Sequence, residues 1–296
     1  MPIHQFRRKP NKSGKNPLCE NRTQDLMVTK FYPTTQMPLG YNAMDIPQYI
    51  VGVGNPSVKS LPTHFVFLHD PSPLTVQSFT KTRYEVDFMI AGTETTATLI
   101  EWAMANIMGN HKVMKKIQEE LVEIVGLNNM VEESHLPKLQ YLDATIKETF
   151  RLNPIVPFLI PRAPSKDCVV GGYTIPKGCS IFLNVISIHR NPQCWDNPLE
   201  FKPERFLANK GTNKWDYNGN DLKFFPFGSG RRLCPGIPLA QKMQMFILAS
   251  LLHSFDWSLP NGEEHDLSES FGLTLTKRKP LIAIPYQRLP DASLYM

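Results

Sequence analysis

The sequence lacks the features that mark several common classes of protein. It has no apolar run of the ~18 residues that a membrane-spanning helix needs, and its first fifteen residues are polar and basic, so we expect no signal peptide. None of its five cysteines stands in a Cys-x-x-Cys pair or at zinc-ligand spacing. The net charge is only +5, without a basic stripe of interleaved aromatics, so nucleic acid is not an expected partner.

What is present is a chain of 296 residues, 42% of them hydrophobic, which is enough for one large domain or two small ones. The apolar residues are unevenly distributed. Residues 1–80 are dense in proline, asparagine, threonine and glycine, and prolines interrupt every apolar stretch. We therefore expect residues 1–80 to be a disordered leader and residues 81–296 to hold the folded domain.

Helical periodicity is clear in the second part of the chain. It predicts long helices over Asp87–Met108, Lys112–Val125, Leu139–Leu152 and Ile237–Leu252. The predicted fold class is mainly α with small β-sheets (α+β). Short extended segments account for the sheets: a hairpin with a Gly-Gly turn over 168–178, and strands over 180–183, 267–276 and 281–284.

One cysteine, Cys234, lies in a loop directly before the helix that begins at Ile237. The N-terminus of a helix favours an anion, because its backbone N–H groups are free and its dipole is positive there. The neighbouring Arg231 and Arg232 add positive charge. This setting favours the thiolate, which is the form that ligates metals or acts as a nucleophile. A lone cysteine can equally be a small buried hydrophobic residue, and that alternative stays open here.

The residues around this cysteine suit a large flat ligand. Gly230 and Gly236 carry no Cβ, so the backbone can lie against a planar group and can adopt a positive φ. Phe227 can pack against the sulfur or against a ring system. The loop therefore predicts a binding role for the cysteine.

The middle of the first long helix is unusual for a helix. Ala91–Thr96 reads Ala-Gly-Thr-Glu-Thr-Thr, and a glycine inside a helix costs about 1 kcal/mol relative to alanine. Threonine hydroxyls can bond back to carbonyls and bend the helix. The functional interpretation is a kink that opens a groove lined by a hydroxyl and a carboxylate. The alternative is an ordinary exposed turn of helix.

Read as Phe-x-x-Gly-x-Arg-x-Cys-x-Gly, the cysteine loop resembles the haem-binding signature of the cytochrome P450 family. The matching positions are Phe227, Gly230, Arg232, Cys234 and Gly236. In that family the cysteine thiolate is the axial ligand of the haem iron. The resemblance implies haem b (iron protoporphyrin IX) as the cofactor.

The threonine-rich segment resembles the oxygen-activation motif of the same family, Ala/Gly-Gly-x-Asp/Glu-Thr. The resemblance implies that Thr95 is the hydroxyl on the oxygen side and that Glu94 is the acid of a proton relay. Such a relay is needed because oxygen activation consumes protons. Ala91 and Gly92 would then lie against the cofactor.

Further residues take roles from the same resemblance. Glu148 and Arg151 share a helical face, and with Arg205 they would form a buried structural network behind the haem. Arg162 would contact a haem propionate. The resemblance also implies a set of substrate-facing side chains on two segments: Ile155, Val156, Phe158, Leu159, Phe271 and Leu273.

The match runs from about Tyr84 to Leu289 and implies the C-terminal half of the cytochrome P450 fold, of the plant type. It implies a monooxygenase that uses O2, an NADPH-dependent reductase and a small apolar plant metabolite. Family membership implies the cytosolic face of the endoplasmic reticulum, although no membrane anchor is recognisable in this chain. We expect a truncated or misassembled gene as the origin of residues 1–80.

Two other interpretations remain open at this point. One is a non-catalytic remnant of such an enzyme, which binds haem weakly or acts only by association. The other is a structural helical module with an inert buried cysteine.

Overall fold

The structure is a computed structural model, and it describes residues 26–29, 76–207, 215–260 and 264–295. Most of the expected leader, residues 1–80, therefore lies outside the described residues. Two parts of it are described: a short strand at Leu26–Thr29 and the first residues of a helix that begins at Val76.

Helices dominate the part of the chain that the structure describes, where none is long and apolar enough to cross a membrane. The first helix begins at Val76, well before the predicted start at Asp87. No proline or glycine lies between these two residues, so nothing in this stretch ends the helix. The α-helices are α1 (Val76–Met108), α2 (His111–Ile124), α3 (Gln140–Leu152), α4 (Val185–His189) and α5 (Ile237–Ser254).

The strands of the described residues form small antiparallel pairs: β1 with β4, β2 with β3, β5 with β8, and β6 with β7. The prediction of a mainly α fold with small β-sheets is thereby confirmed. The Gly-Gly turn between β2 and β3 has φ values of 58° and 85°, which glycine tolerates well. The strands are β1 (Leu26–Thr29), β2 (Cys168–Val170), β3 (Tyr173–Ile175), β4 (Ser180–Leu183), β5 (Phe255–Ser258), β6 (Glu269–Phe271), β7 (Leu275–Lys277) and β8 (Ile284–Gln287).

The hydrophobic core lies where α1, α3 and α5 meet. Trp102 of α1, Leu142 of α3 and Leu248 of α5 are completely buried in it. Burying a large apolar side chain contributes about 1.5–3 kcal/mol, so these helices stabilise one another. The cysteine loop leads directly into α5, and the core therefore fixes its position relative to α1.

The start of α3 depends on α2. Its N-cap residue, Leu139, makes no side-chain cap hydrogen bond. Instead Glu120 of α2 accepts hydrogen bonds from the backbone N–H groups of Tyr141 and Leu142, at 2.7 and 3.0 Å. A carboxylate at a helix N-terminus is stabilising, so this contact joins the two helices.

An aromatic cluster supports the cysteine loop from behind. Phe227 of the loop lies 5.1 Å from Phe150 of α3 and 5.3 Å from Tyr217, measured between ring centroids. Phe224 lies 4.9 Å from Phe206 in the same way. Aromatic pairs at these distances contribute about 0.5–1.5 kcal/mol beyond the area they bury, so the cluster holds the loop against α3.

Candidate functional site

The loop before α5 has a defined turn that presents Cys234. The backbone N–H of Gly228 donates to the carbonyl of Phe225 at 3.0 Å, and the N–H of Cys234 donates to the carbonyl of Phe227 at 3.1 Å. Gly228 and Gly230 have φ values of +77° and +66°, a region that side-chain-bearing residues rarely adopt. Cys234 is a free cysteine and is only partly buried.

The space around the loop glycines is uneven. A Cβ built at Gly236 would lie 3.7 Å from the Cys234 sulfur, while a Cβ at Gly230 would have no atom within 4 Å. On the other side, a Cβ at Gly219 would lie only 2.3 Å from the carbonyl oxygen of Gly228. The loop is therefore tightly supported at Gly219 and open at Gly230. The sequence analysis missed Gly219, whose only signal is its position in an Asn-Gly-Asn turn.

The side chain of Arg162 reaches the cysteine loop. Its terminal nitrogen would lie 3.7 Å from a Cβ built at Gly228, and the side chain of Leu159 would lie at 3.6 Å from the same point. The backbone of Arg162 pairs with Ile181 of β4, which holds it in place. The two loop arginines, Arg231 and Arg232, are exposed. Arg162 thus lies next to the loop, in a position where a guanidinium could bind a carboxylate.

The threonine-rich segment of α1 is helical throughout. The hydroxyl of Thr95 donates to the carbonyl of Ala91, and the hydroxyl of Thr93 donates to the carbonyl of Met89. Such bonds to the preceding turn are the ones that bend helices. A Cβ at Gly92 would have no atom within 4 Å. The helix is therefore open on the side of Gly92.

The acid of this segment is held by a distant part of the chain. The carboxylate of Glu94 accepts a hydrogen bond of 2.9 Å from the hydroxyl of Thr274, in the turn between β6 and β7. The resemblance placed Thr274 in the last substrate-facing loop, with Phe271 and Leu273, but nothing in the sequence shows that this turn contacts Glu94 of α1.

Glu148, Arg151 and Arg205 come together as one network. Arg151 donates to both carboxylate oxygens of Glu148, at 2.7 and 2.8 Å, and Arg205 donates to Glu148 at 3.3 Å. Arg151 also donates to the carbonyls of His189 and Pro198. Glu148 and Arg151 are completely buried, so each charge depends on its partner. The network joins α3 to the chain that follows α4.

A buried histidine links α3 to the cysteine loop. The Nδ1 of His189 lies 3.3 Å from the carbonyl of Phe150, and its Nε2 accepts from the backbone N–H of Phe225 at 3.2 Å. The pKa of His189 is lowered to about 3, chiefly by burial and also by the positive charges of Arg151 and Arg190, while the bond to the Phe150 carbonyl acts in the opposite direction. The ring is therefore neutral, which lets one nitrogen donate and the other accept.

The buried His189 should make the free energy of unfolding depend on pH. The unfolded chain binds a proton at His189 below about pH 6.5, whereas the folded chain does so only near pH 3. The free energy of unfolding should therefore fall as the pH drops through this window, by about 1 kcal/mol per pH unit from this residue. Denaturant unfolding between about pH 7 and pH 5 measures the slope. The substitution His189→Gln should make this slope smaller.

The matched control for this experiment is His111, which is exposed at the start of α2. His111→Gln should leave the slope unchanged. An identical slope in the wild type and in His189→Gln would contradict the role given to the buried ring.

The predicted substrate-facing residues differ in burial and fall into three groups. Ile155 and Leu159 are buried, and Leu159 has a φ of +50°, which is strained for a leucine. Phe271 and Leu273 are exposed, at 55% and 45%. Val156 and Phe158 are intermediate. The two exposed residues lie just before Thr274, the residue of this turn that contacts Glu94.

These contacts fit a flat cofactor held by a single sulfur ligand. The described residues contain no group of three or more histidine, cysteine or acidic side chains that could hold a metal ion by themselves. They do contain a free thiol at a helix start, open space at Gly230 and Gly92, and an arginine beside the loop. This set of features is that of the haem-thiolate class of proteins.

The comparisons with known proteins agree with this class. The family model described as Cytochrome P450 matches residues 76–284. This chain belongs to the cytochrome P450 family, whose members hold a haem cofactor.

Three plant relatives show how much of the family the chain covers. Cytochrome P450 76C1 of Arabidopsis thaliana is 47% identical over 69% of this chain and 40% of the relative. A probable (S)-N-methylcoclaurine 3'-hydroxylase of Coptis japonica is 50% identical over 66% of this chain and 39% of the relative. Flavonoid 3'-monooxygenase of Petunia hybrida is 42% identical over 71% of this chain and 42% of the relative. The chain thus spans about two fifths of the length of these relatives.

A solved structure shares the fold. Zebra fish cytochrome P450 with abiraterone has a TM-score of 0.61 and 32% identity, covering 69% of this chain and 46% of that chain. The described residues therefore form part of a cytochrome P450 fold.

Proposed function

We propose that this protein is a haem-thiolate monooxygenase that inserts one oxygen atom from O2 into a small apolar plant metabolite. The single observation that carries the proposal is the free Cys234 at the start of α5, in a loop whose glycines leave room for a flat ligand. Residues 81–296 would supply part of the catalytic domain.

The residues around the thiol have distinct roles in binding haem b. The Cys234 sulfur would be the iron ligand, and Gly230, Arg232 and Gly236 would border the ring. Arg162 would bind a propionate, since its guanidinium already lies beside the loop. Phe227 packs on Phe150 and would fix the loop rather than move with the ligand. When bound, haem supplies the iron that binds and reduces dioxygen.

The segment on α1 would handle protons. The overall reaction consumes O2, two electrons and two protons for each hydroxyl group formed, and releases one water molecule. The Thr95 hydroxyl is positioned by its bond to Ala91, and the Glu94 carboxylate can take up a proton and pass it on. The open face at Gly92 would leave room for the small ligand between α1 and the haem.

The partners follow from the family. The two electrons would come from NADPH through a separate reductase. Two of the plant relatives are named as a probable (S)-N-methylcoclaurine 3'-hydroxylase and a flavonoid 3'-monooxygenase, which supports a small plant metabolite as substrate. Phe271 and Leu273 present exposed apolar surface on the turn beside Glu94, which suits an apolar substrate.

A matched pair of threonines on α1 tests the proton relay. Thr95→Val and Thr93→Val each remove a hydroxyl that bonds to the preceding turn. Thr95→Val should lower the product formed per NADPH at least about 10-fold, because positioned proton transfer contributes about 10²–10⁴-fold. Thr93→Val should leave the product formed per NADPH unchanged. Product, hydrogen peroxide and NADPH are measured with the haem-loaded protein and a plant reductase. Equal effects of the two variants would contradict the proposed relay.

A second candidate function is that of a non-catalytic remnant of such an enzyme, which binds haem weakly or acts only by association. Haem uptake without substrate-dependent NADPH consumption by the wild-type chain would support this candidate. No haem uptake at all would leave only a structural helical module.

A further inference from the structure

The bond between Thr274 and Glu94 joins residues 180 positions apart in the chain. Thr274 is only 9% exposed, whereas Glu94 is exposed. Among the described residues, Glu94 has no ion-pair partner. An exposed glutamate without such a partner samples several rotamers, so the buried hydroxyl is the group that restricts this carboxylate.

The position of Thr274 is fixed by the residue that follows it. The carbonyl of Leu275 accepts a hydrogen bond of 2.7 Å from the Trp102 side chain of α1, and its N–H donates to the carbonyl of Ile155 at 2.8 Å. Trp102 and Leu275 are completely buried. The backbone next to Thr274 is therefore held by α1 on one side and by the segment at Ile155 on the other.

A second contact sets the same part of the chain against α1. Glu101 of α1 accepts a hydrogen bond of 2.9 Å from the backbone N–H of Leu281, and the Lys277 ammonium lies 5.3 Å from the centre of the Trp102 ring. Strand β7 and its flanks are thus attached to α1 at several points. The Thr274 hydroxyl is consequently a rigid donor aimed at Glu94, not a group on a mobile loop.

We propose that Thr274 is a positioning residue for the proton relay, which holds the Glu94 carboxylate in one orientation beside Thr95. The inference rests on the proposed function, because it gives Glu94 its part in proton delivery. It also joins the relay to the turn that carries Phe271 and Leu273, so the turn that faces substrate sets the orientation of the acid. A substrate that displaced this turn would reduce product formation without weakening haem binding.

The bond itself is tested without any turnover. In the NMR spectrum of the protein, Glu94→Gln should shift the Thr274 methyl signal, because it replaces the group that accepts the hydrogen bond. The signal of Thr276, two residues further along the chain, should not respond. A Thr274 signal that behaves identically in the wild type and in Glu94→Gln would overturn the inference.

The role is tested with the haem-loaded protein and a plant reductase. Thr274→Val should lower kcat and product per NADPH at least about 10-fold while KM stays within about twofold, since only proton delivery is affected. Thr274→Ser keeps the hydroxyl and should restore both. Thr276→Val, two residues further along on β7, is the matched control and should have no effect.

A double variant separates this inference from the proposed function. In the Glu94→Gln background, Thr274→Val should cause no further loss. If Glu94→Gln alone changes nothing, the proposed relay is wrong. If Glu94→Gln is slow but Thr274→Val is as active as the wild type, the relay stands and the inference fails. Equal losses from Thr274→Val in both backgrounds would show a general structural defect and would also overturn it.

Discussion

Replacement of Cys234 by alanine is expected to abolish tight haem binding. The sulfur is the only side-chain ligand that the cysteine loop offers, and no other residue of the loop can replace it. Removing a residue that only supports a metal ligand already weakens metal binding by about 10- to 100-fold. Loss of the ligand itself should therefore weaken haem binding by at least about 100-fold. An absorbance titration of the haem-free protein with haem measures this loss.

The chain offers a matched control for this variant. Cys168 is also free and partly buried, but it lies on β2 and not in the cysteine loop. Cys168→Ala should bind haem as the wild type does. Both proteins should keep the same helical content by circular dichroism, because the Cys234 side chain lies at the edge of the core. Equal haem affinity of the wild type and of Cys234→Ala would refute the proposed ligand.

Glu148→Gln is expected to cause the largest loss of stability. The carboxylate is completely buried and neutralises Arg151, which is equally buried. Removing one partner of such a pair leaves an uncompensated charge in the interior, at a cost of about 3–5 kcal/mol. This is a large part of the 5–15 kcal/mol that stabilises a typical domain. Urea unfolding should therefore show a much lower midpoint, or a chain that is already unfolded without urea.

The same substitution at the surface provides the control. Glu119 pairs with Lys115 at 3.7 Å, and the two side chains are 64% and 78% exposed. Glu119→Gln makes the same chemical change and should cost no more than about 0.5 kcal/mol. If the two variants lose equal stability, the buried network does not hold α3 in the way described above.

Regular elements with local signals were predicted well from the sequence. The helices over 111–124, 140–152 and 237–254 differ from the predicted bounds by only one or two residues. Each has apolar residues at helical spacing, and α2 also has a clear stop signal in Gly126. The hairpin of β2 and β3 was equally clear, because Gly171 and Gly172 specify its turn.

The start of α1 was not predicted correctly from the sequence. The residues between Val76 and Asp87 are mixed in character and show no strong apolar period, so propensity alone did not extend the helix. The strand β1 lies at Leu26–Thr29, in a region that the composition predicted to be disordered. Strand pairing depends on a partner far along the chain, here β4, and composition carries no information about it.

The residues of the candidate site also differ in how well the sequence predicted them. Short motifs identified the cysteine loop, the threonine-rich segment and the Glu-x-x-Arg pair, because each has its residues close together in the sequence. Thr274 contacts Glu94, and His189 contacts the backbone of Phe225, across long stretches of the chain, so no local pattern indicates these contacts. Gly219 is close in sequence to Gly228, but its Asn-Gly-Asn context does not show that it packs against the cysteine loop.

The most direct test of the central claim is the carbon monoxide difference spectrum of the reduced, haem-loaded wild-type chain. If the Cys234 thiolate ligates the iron, the Soret band should lie at the long-wavelength position that distinguishes thiolate from nitrogen ligation. A band at the position of a histidine-ligated haem, or no band at all, would contradict the assignment of Cys234 as the iron ligand.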